Sequence, residues 1–198
     1  MRIIETKVYQ FEELSPKAKD VAINAAREFL EFSDYASYSI DDAKAIATLM
    51  GWDIAEVHYS GFYSQGDGAC FVGGMQYKDG CFAAVQAYAP TDTVLHEIAM
   101  RWHTLQNDNG FALSADVMHS GRYFHEYCTE FDCFDSRAQD GFVESTTTKN
   151  KIKQIARDFM HWIYKQLQAE YEFQTSGSTI AEILINNDSE FTEDGKSI

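Results

Sequence analysis

Residues 52–77 read WDIAEVHYSGFYSQGDGACFVGGMQY. β-Branched and aromatic residues lie on both sides of a polar, glycine-rich centre, which predicts strands over Trp52–Tyr63 and Ala69–Tyr77 joined as a hairpin. Sixty residues on, the pattern returns. Val57-His58-Tyr59-Ser60-Gly61-Phe62-Tyr63 aligns with Val117-Met118-His119-Ser120-Gly121-Arg122-Tyr123, and Val, Ser, Gly and Tyr keep their places. A second strand pair is therefore expected over Phe111–His119 and Tyr127–Phe134. Two hairpins of matching design in one antiparallel sheet put both loops at the same sheet end.

Helices fill the rest of the chain. Ile3 to Phe11 reads as a first strand, after which Ser15 caps a helix that Pro16 opens. Ala18, Val21, Ala22, Ala25, Ala26, Phe29 and Leu30 share one face of it. A second helix is expected over Ile40–Met50, with Ser39 as its cap, Asp41 and Asp42 at its positive end and Gly51 as its stop. Cys81–Tyr88 reads as a short helix ended by Pro90, and Thr91 or Asp92 caps the next, which Asn107-Asp108-Asn109-Gly110 terminates. After a loop over Ser136–Ser145, Thr147–Tyr171 has the clearest helical periodicity, and Thr179–Ile185 is a last short helix. Strands and helices come in blocks rather than in strict alternation, which predicts an α+β fold. The expectation is about five antiparallel strands built from hairpins, packed by four or five helices on one face. A single domain over 1–187 and an acidic, frayed tail over 188–198 complete it.

The chain has 198 residues and a mass of 22.5 kDa, and 45% of its residues are hydrophobic, enough for its own core. Thirty-one acidic residues against 16 basic ones give a formal charge of −15, which argues against direct binding to nucleic-acid phosphates. The opening MRIIETKVYQF lacks the apolar core of a signal peptide, and no run approaches the roughly 18 apolar residues of a membrane span. A soluble, cytoplasmic protein without a membrane partner is expected. Cys70, Cys81, Cys128 and Cys133 form no CxxC pair and read as reduced thiols. A zinc site would draw on His119, His125, Cys128 and Cys133, but in an extended strand the two histidines stand about 20 Å apart. Only a loop could gather them, so neither metal nor cofactor is expected.

If the two loops meet, they bring Ser60, Tyr63, Ser64, Gln65 and Asp67 beside His119, Ser120, Arg122, Tyr123 and His125. In Ser64-Gln65-Gly66-Asp67-Gly68, glycines on both sides of an aspartate free the backbone for a tight turn or for close approach of a partner. The plain alternative is an ordinary hairpin turn. It is not a phosphate loop, because the GxxxxGK[ST] spacing is absent and a central carboxylate repels phosphate. An acid–base reading would join Asp67 to His119 or His125 and to Ser60 or Ser120. Asp67 is expected to be ionised and paired with Arg122, with Phe62, Tyr63, Tyr123 and Phe124 as apolar walls. Lys149, Lys151, Lys153 and Arg157 form a basic patch: a solvated helix face, a dock for an anion, or a partner for Asp188, Glu190, Glu193 and Asp194. Phe29, Phe32, Tyr35 and Tyr38 read as core or as the contact of a homodimer.

Three stretches, HYSGFYSQGDGACFVGG, HSGRYFHEYC and YEFQTSGSTIAEILINNDSEFTEDGK, resemble a group of small phage and prophage proteins. Some of that group are labelled antitoxins of toxin–antitoxin systems. The resemblance covers most of the chain and carries no catalytic residue with it. It implies a mobile-element origin and a place in the host cytoplasm. The role it suggests is a non-enzymatic, stoichiometric inhibitor or antitoxin-like binder of a host or defence-system protein. Three alternatives stand beside that one: a protein that sequesters a small anionic, nucleotide-type ligand near Arg122 and His119, a DNA-mimicking inhibitor, and a hydrolase using Asp67 with His119 or His125.

Overall fold

The computed structural model describes residues 7–30 and 35–198. The first part of the strand expected over Ile3–Phe11, the Phe32 of the aromatic stretch and the side chain of Leu30 lie outside the described residues. Along the chain run β1 (Tyr9–Gln10), α1 (Pro16–Leu30), α2 (Ser37–Met50), β2 (Trp52–Tyr59), β3 (Ala69–Met75), α3 (Cys81–Tyr88) and α4 (Thr93–Asp108). Then follow β4 (Leu113–His119), β5 (Thr129–Asp135), α5 (Thr146–Gln174), α6 (Gly177–Asn186) and β6 (Glu190–Phe191). This is an α+β fold. Its contacts gather into two compact units, residues 38–168 and residues 1–37 with 169–198.

The larger unit is built on a four-stranded antiparallel sheet in the order β2-β3-β4-β5. Alternation decides its two faces. Trp52, Ile54, Val57, Phe71, Met75, Ala115, Val117 and Cys133 are buried on one. There the Trp52 ring meets Trp102 of α4 at 5.6 Å and Phe159 of α5 at 5.3 Å, both edge-on. On the other face Asp53, Glu56, Asp116, Met118, Glu130 and Asp132 are exposed. Asp92 caps α4 by accepting from the Leu95 N–H at 2.9 Å, and its other oxygen accepts from the Trp162 indole at 2.7 Å. One carboxylate thus starts α4 and ties it to α5. Buried Gln106 links the end of α4 to β4, donating to the Leu113 carbonyl at 2.7 Å and accepting its N–H at 3.2 Å. Gly51 ends α2 at a φ of +89°, where an added Cβ would stand 2.7 Å from the Gln76 carbonyl.

Boundaries depart from the periodicity in instructive places. α2 starts at Ser37, so Ser39 lies inside it rather than capping it. β2 stops at Tyr59, and the Ser60 N–H, donating to the Gly68 carbonyl at 3.1 Å, closes the loop that follows. The register of β2 against β3 shifts between Ile54 and Glu56, leaving Ala55 in a bulge, and the Lys44 ammonium donates to the Ala55 carbonyl at 3.0 Å.

In the smaller unit, Phe11, Leu14, Ala18, Ala22 and Phe191 form the core. The stretch expected as a frayed tail carries β6, antiparallel to β1, and Phe191 meets the Phe11 ring at 6.2 Å. An apolar side chain in an acidic segment supplies the anchor there, and Asp194 pairs with Lys196 at 2.6 Å. Among the described residues no helix is long and apolar enough to cross a membrane.

Candidate functional site

The sheet end reached by β2 and β4 carries the two loops 60–68 and 120–128. In the first, the Asp67 carboxylate turns back on its own loop. Its Oδ2 accepts the N–H of Tyr63 at 3.0 Å and of Ser64 at 2.7 Å. Gly66 sits at a φ of +90°, where a side chain would be strained. The Gly68 N–H donates to the Ser60 hydroxyl at 3.3 Å. The expected pairing of Asp67 with Arg122 is not formed: two backbone amides take the carboxylate, and Arg122 lies 5.7 Å over the Tyr123 ring. Gln65 and Ser64 are exposed beside it.

The second loop relies on its neighbours. The Phe124 ring stacks on His58 at 5.0 Å and lies 5.2 Å from His119, while the two imidazoles stand 5.6 Å apart. His119 Nε2 donates to the Tyr123 carbonyl at 3.1 Å, which fixes its tautomer, since a carbonyl only accepts. His125 Nδ1 accepts the Tyr127 N–H at 3.2 Å, and the Glu126 carboxylate approaches the same nitrogen at 3.1 Å. Ser120 donates its hydroxyl to Glu130 at 2.8 Å. Both serines therefore meet backbone or carboxylate, not a histidine.

The loops touch each other. An added Cβ on Gly68 would come within 3.0 Å of the His125 ring and 3.1 Å of the Phe124 carbonyl, and one on Gly66 would be 3.4 Å from the Tyr123 ring. α5 closes the site from the helix layer. Tyr164 donates to the Gly61 carbonyl at 3.3 Å and its ring packs on Phe62 at 5.6 Å. Burial raises its phenol pKa, and the negative charges of Asp67 and Glu126 add to the rise. Arg157 donates to the Glu126 carbonyl at 3.2 Å and stacks on Tyr127 at 4.8 Å. Burial pushes the Cys70 thiol up to about 11, with Cys128 adding to it, so it is no ready thiolate nucleophile.

Ser60, Tyr63, Ser64, Gln65 and Asp67 thus share a sheet end with His119, Ser120, Arg122, Tyr123 and His125. Tyr127, Arg157 and Tyr164 join them unannounced. Nothing in the loops' own sequence points to α5, and the spacing of Arg157 and Tyr164 reads only as one helix face. Exposure picks out three rings: Tyr63 is 71% exposed, Tyr123 53% and Tyr127 63%. Clefts of about 420 and 480 Å³ lie elsewhere, one lined by Met100, Arg101, Leu105 and Lys151, the other by Asp135, Arg137 and Phe142. Among the described residues no three His, Cys, Asp or Glu side chains are placed to hold a metal ion.

A family model described as a domain of unknown function, DUF8835, matches residues 35–177. No curated protein and no solved structure matches the chain.

Proposed function

Since the chain belongs to the DUF8835 family, its role has to be read from its own surface, and we propose that it is a non-enzymatic binding protein acting stoichiometrically on a protein of its host or of a defence system. The paired loops are its contact surface. One observation carries the reading: Asp67, His119 and Ser120 hold the loops' own shape, and the large side chains that face outward are Tyr63, Tyr123 and Tyr127 beside Arg122. Tyrosine and arginine are the residues enriched in protein-binding hot spots, where truncating one central side chain costs about 2 kcal/mol or more. The resemblance to phage and prophage proteins supports a host or defence component as the target and the host cytoplasm as the setting.

The test is capture from host lysate with the wild type and with Tyr63→Ala and Tyr123→Ala. One saturable protein partner, lost from both variants while circular dichroism and melting stay unchanged, is the expected result. A partner kept by both variants would sink the loop surface. A co-purifying nucleotide, or turnover of a substrate panel, would replace the reading with its ligand-binding or hydrolytic rival.

One observation favours a second reading. Asp53, Gly74, Asp116 and Asp132 stand in one row across all four strands, leaving three carboxylates on the open sheet face. Like charges directly opposite one another destabilise a sheet, so Asp116 facing Asp132 calls for a reason. A DNA-mimicking inhibitor supplies one, and it would make partner binding weaken steeply with salt.

A further inference from the structure

The sheet ends in two edge strands, and they are treated differently. β2 is blunted by its bulge and by Lys44. β5 is bonded by a neighbouring segment at its far end, where the Val143 N–H donates to the Cys133 carbonyl at 3.0 Å and the Asp135 N–H to the Gly141 carbonyl at 3.0 Å. Those bonds show that the odd-numbered residues of β5 turn their backbone groups away from β4. At the near end, Ser120 bonding to Cys128 at 2.8 Å gives the same parity. Thr129 and Phe131 therefore turn their N–H and C=O groups to the outer side, with Phe131 half-buried and Thr129 7% exposed.

That edge runs between opposite charges. On the helix side, Lys149, Lys153 and Arg157 recur every four residues on α5, a rise of about 6 Å per step. Arg157 reaches over the Phe131 ring at 5.8 Å. Lys149 and Lys153 are half-buried, two turns and one turn before Arg157 on the same face of α5. Among the described residues none of the three cations has a carboxylate within ion-pair distance, in a chain with 31 acidic residues. On the open side, Glu130 and Asp132 of β5 are exposed.

We propose that β5 accepts an added strand: an extended segment of a protein partner whose acidic side chains alternate with basic or neutral ones. Same-face side chains of a strand recur every 6.6–6.8 Å or so, close to the step of the cation row. Alternation sends the acidic set to Lys149, Lys153 and Arg157 and the other set to Glu130 and Asp132. The main chain bonds to the edge groups of Thr129 and Phe131. A phosphate backbone fits worse, because it is negative on every side and would meet Glu130 and Asp132. The inference rests on the reading of the chain as a protein binder, though not on the exposed loop tyrosines.

Two peptides of equal composition, each about twelve residues long, make the test: one alternates Glu and Lys singly, the other in pairs. In amide NMR titrations, the singly alternating peptide is expected to shift and protect Thr129 and Phe131, and the paired peptide to bind about tenfold more weakly. Lys149→Glu with Lys153→Glu should weaken the first peptide about tenfold. Phe131→Pro should abolish the docking, since it removes an outward donor that an edge strand can spare. If that variant fails to fold, the surface lysine pair still decides. No shift at β5 with the wild type, equal binding of both peptides, indifference to the lysine reversal, or preference for an oligothymidylate would each overturn the proposal. Because the peptides are added to the wild type, the outcome is read independently of whether Tyr63 and Tyr123 capture a partner.

Discussion

The loops at 60–68 and 120–128 begin alike, with Ser-Gly, and close alike: Ser60 N–H meets the Gly68 carbonyl and Ser120 N–H the Cys128 carbonyl, each eight positions on. Their support differs. The first is held from within, by an aspartate that gathers two of its own amides. The second is held from outside, by a ring packed against two histidines and by the Arg157 side chain from α5. A local polar cap and a tertiary apolar contact can make the same turn, but they fail differently. Losing the cap leaves two exposed amides that water can satisfy, whereas losing the ring opens a gap that the structure must collapse around.

The sharpest way to break this contrast is Phe124→Ala. Removing a half-buried ring packed against His58 and His119 should lower stability by about 2 kcal/mol or more, read as a shift of the denaturation midpoint at constant m-value. It should also unlock Cys70. Burial keeps that thiol protonated until pH approaches its raised value of about 11, so alkylation at pH 8 proceeds only through opening. Faster labelling of Cys70 in the variant is expected. Asp67→Ala comes next, at about 1 kcal/mol, with Asp67→Asn in between because one acceptor oxygen remains. Should Asp67→Ala prove costlier than Phe124→Ala, the assignment of inner and outer support is reversed. Smallest of all is Ser120→Ala, which deletes an exposed hydroxyl bond to Glu130 and should stay within about 0.5 kcal/mol. A larger loss would mean that the second loop also depends on a polar tie.

Much of this architecture is legible in local residue patterns, because local physics fixes it. Ser15 accepts the Ala18 N–H at 3.3 Å, and Asp92 caps α4, since both sit where a helix needs an acceptor. The hairpin pairs follow from two β-rich stretches around short polar turns. The paired-loop geometry follows from a sixty-residue offset between two similar stretches. What was not legible depends on distant partners. Asp67 could be read as a charge seeking Arg122, yet amides three and four residues away reach it first. The segment after Asn186 looks like a solvated acidic tail until Phe191 is seen in a core with Phe11, far earlier in the chain. Arg157 and Tyr164 join the loop surface only because α5 runs beneath it, which no spacing within the loops announces.

The bulge at Ala55, with the Lys44 ammonium on its carbonyl, has a consequence for stoichiometry. A sheet with two receptive margins can be extended from either side, so each newcomer exposes a fresh margin and growth has no natural end. Here one margin is sealed. β2 therefore offers no place for the β5 edge of a second copy. Head-to-tail joining of copies, β5 of one against β2 of the next, is blocked, and with it the repeat unit that a fibre would need.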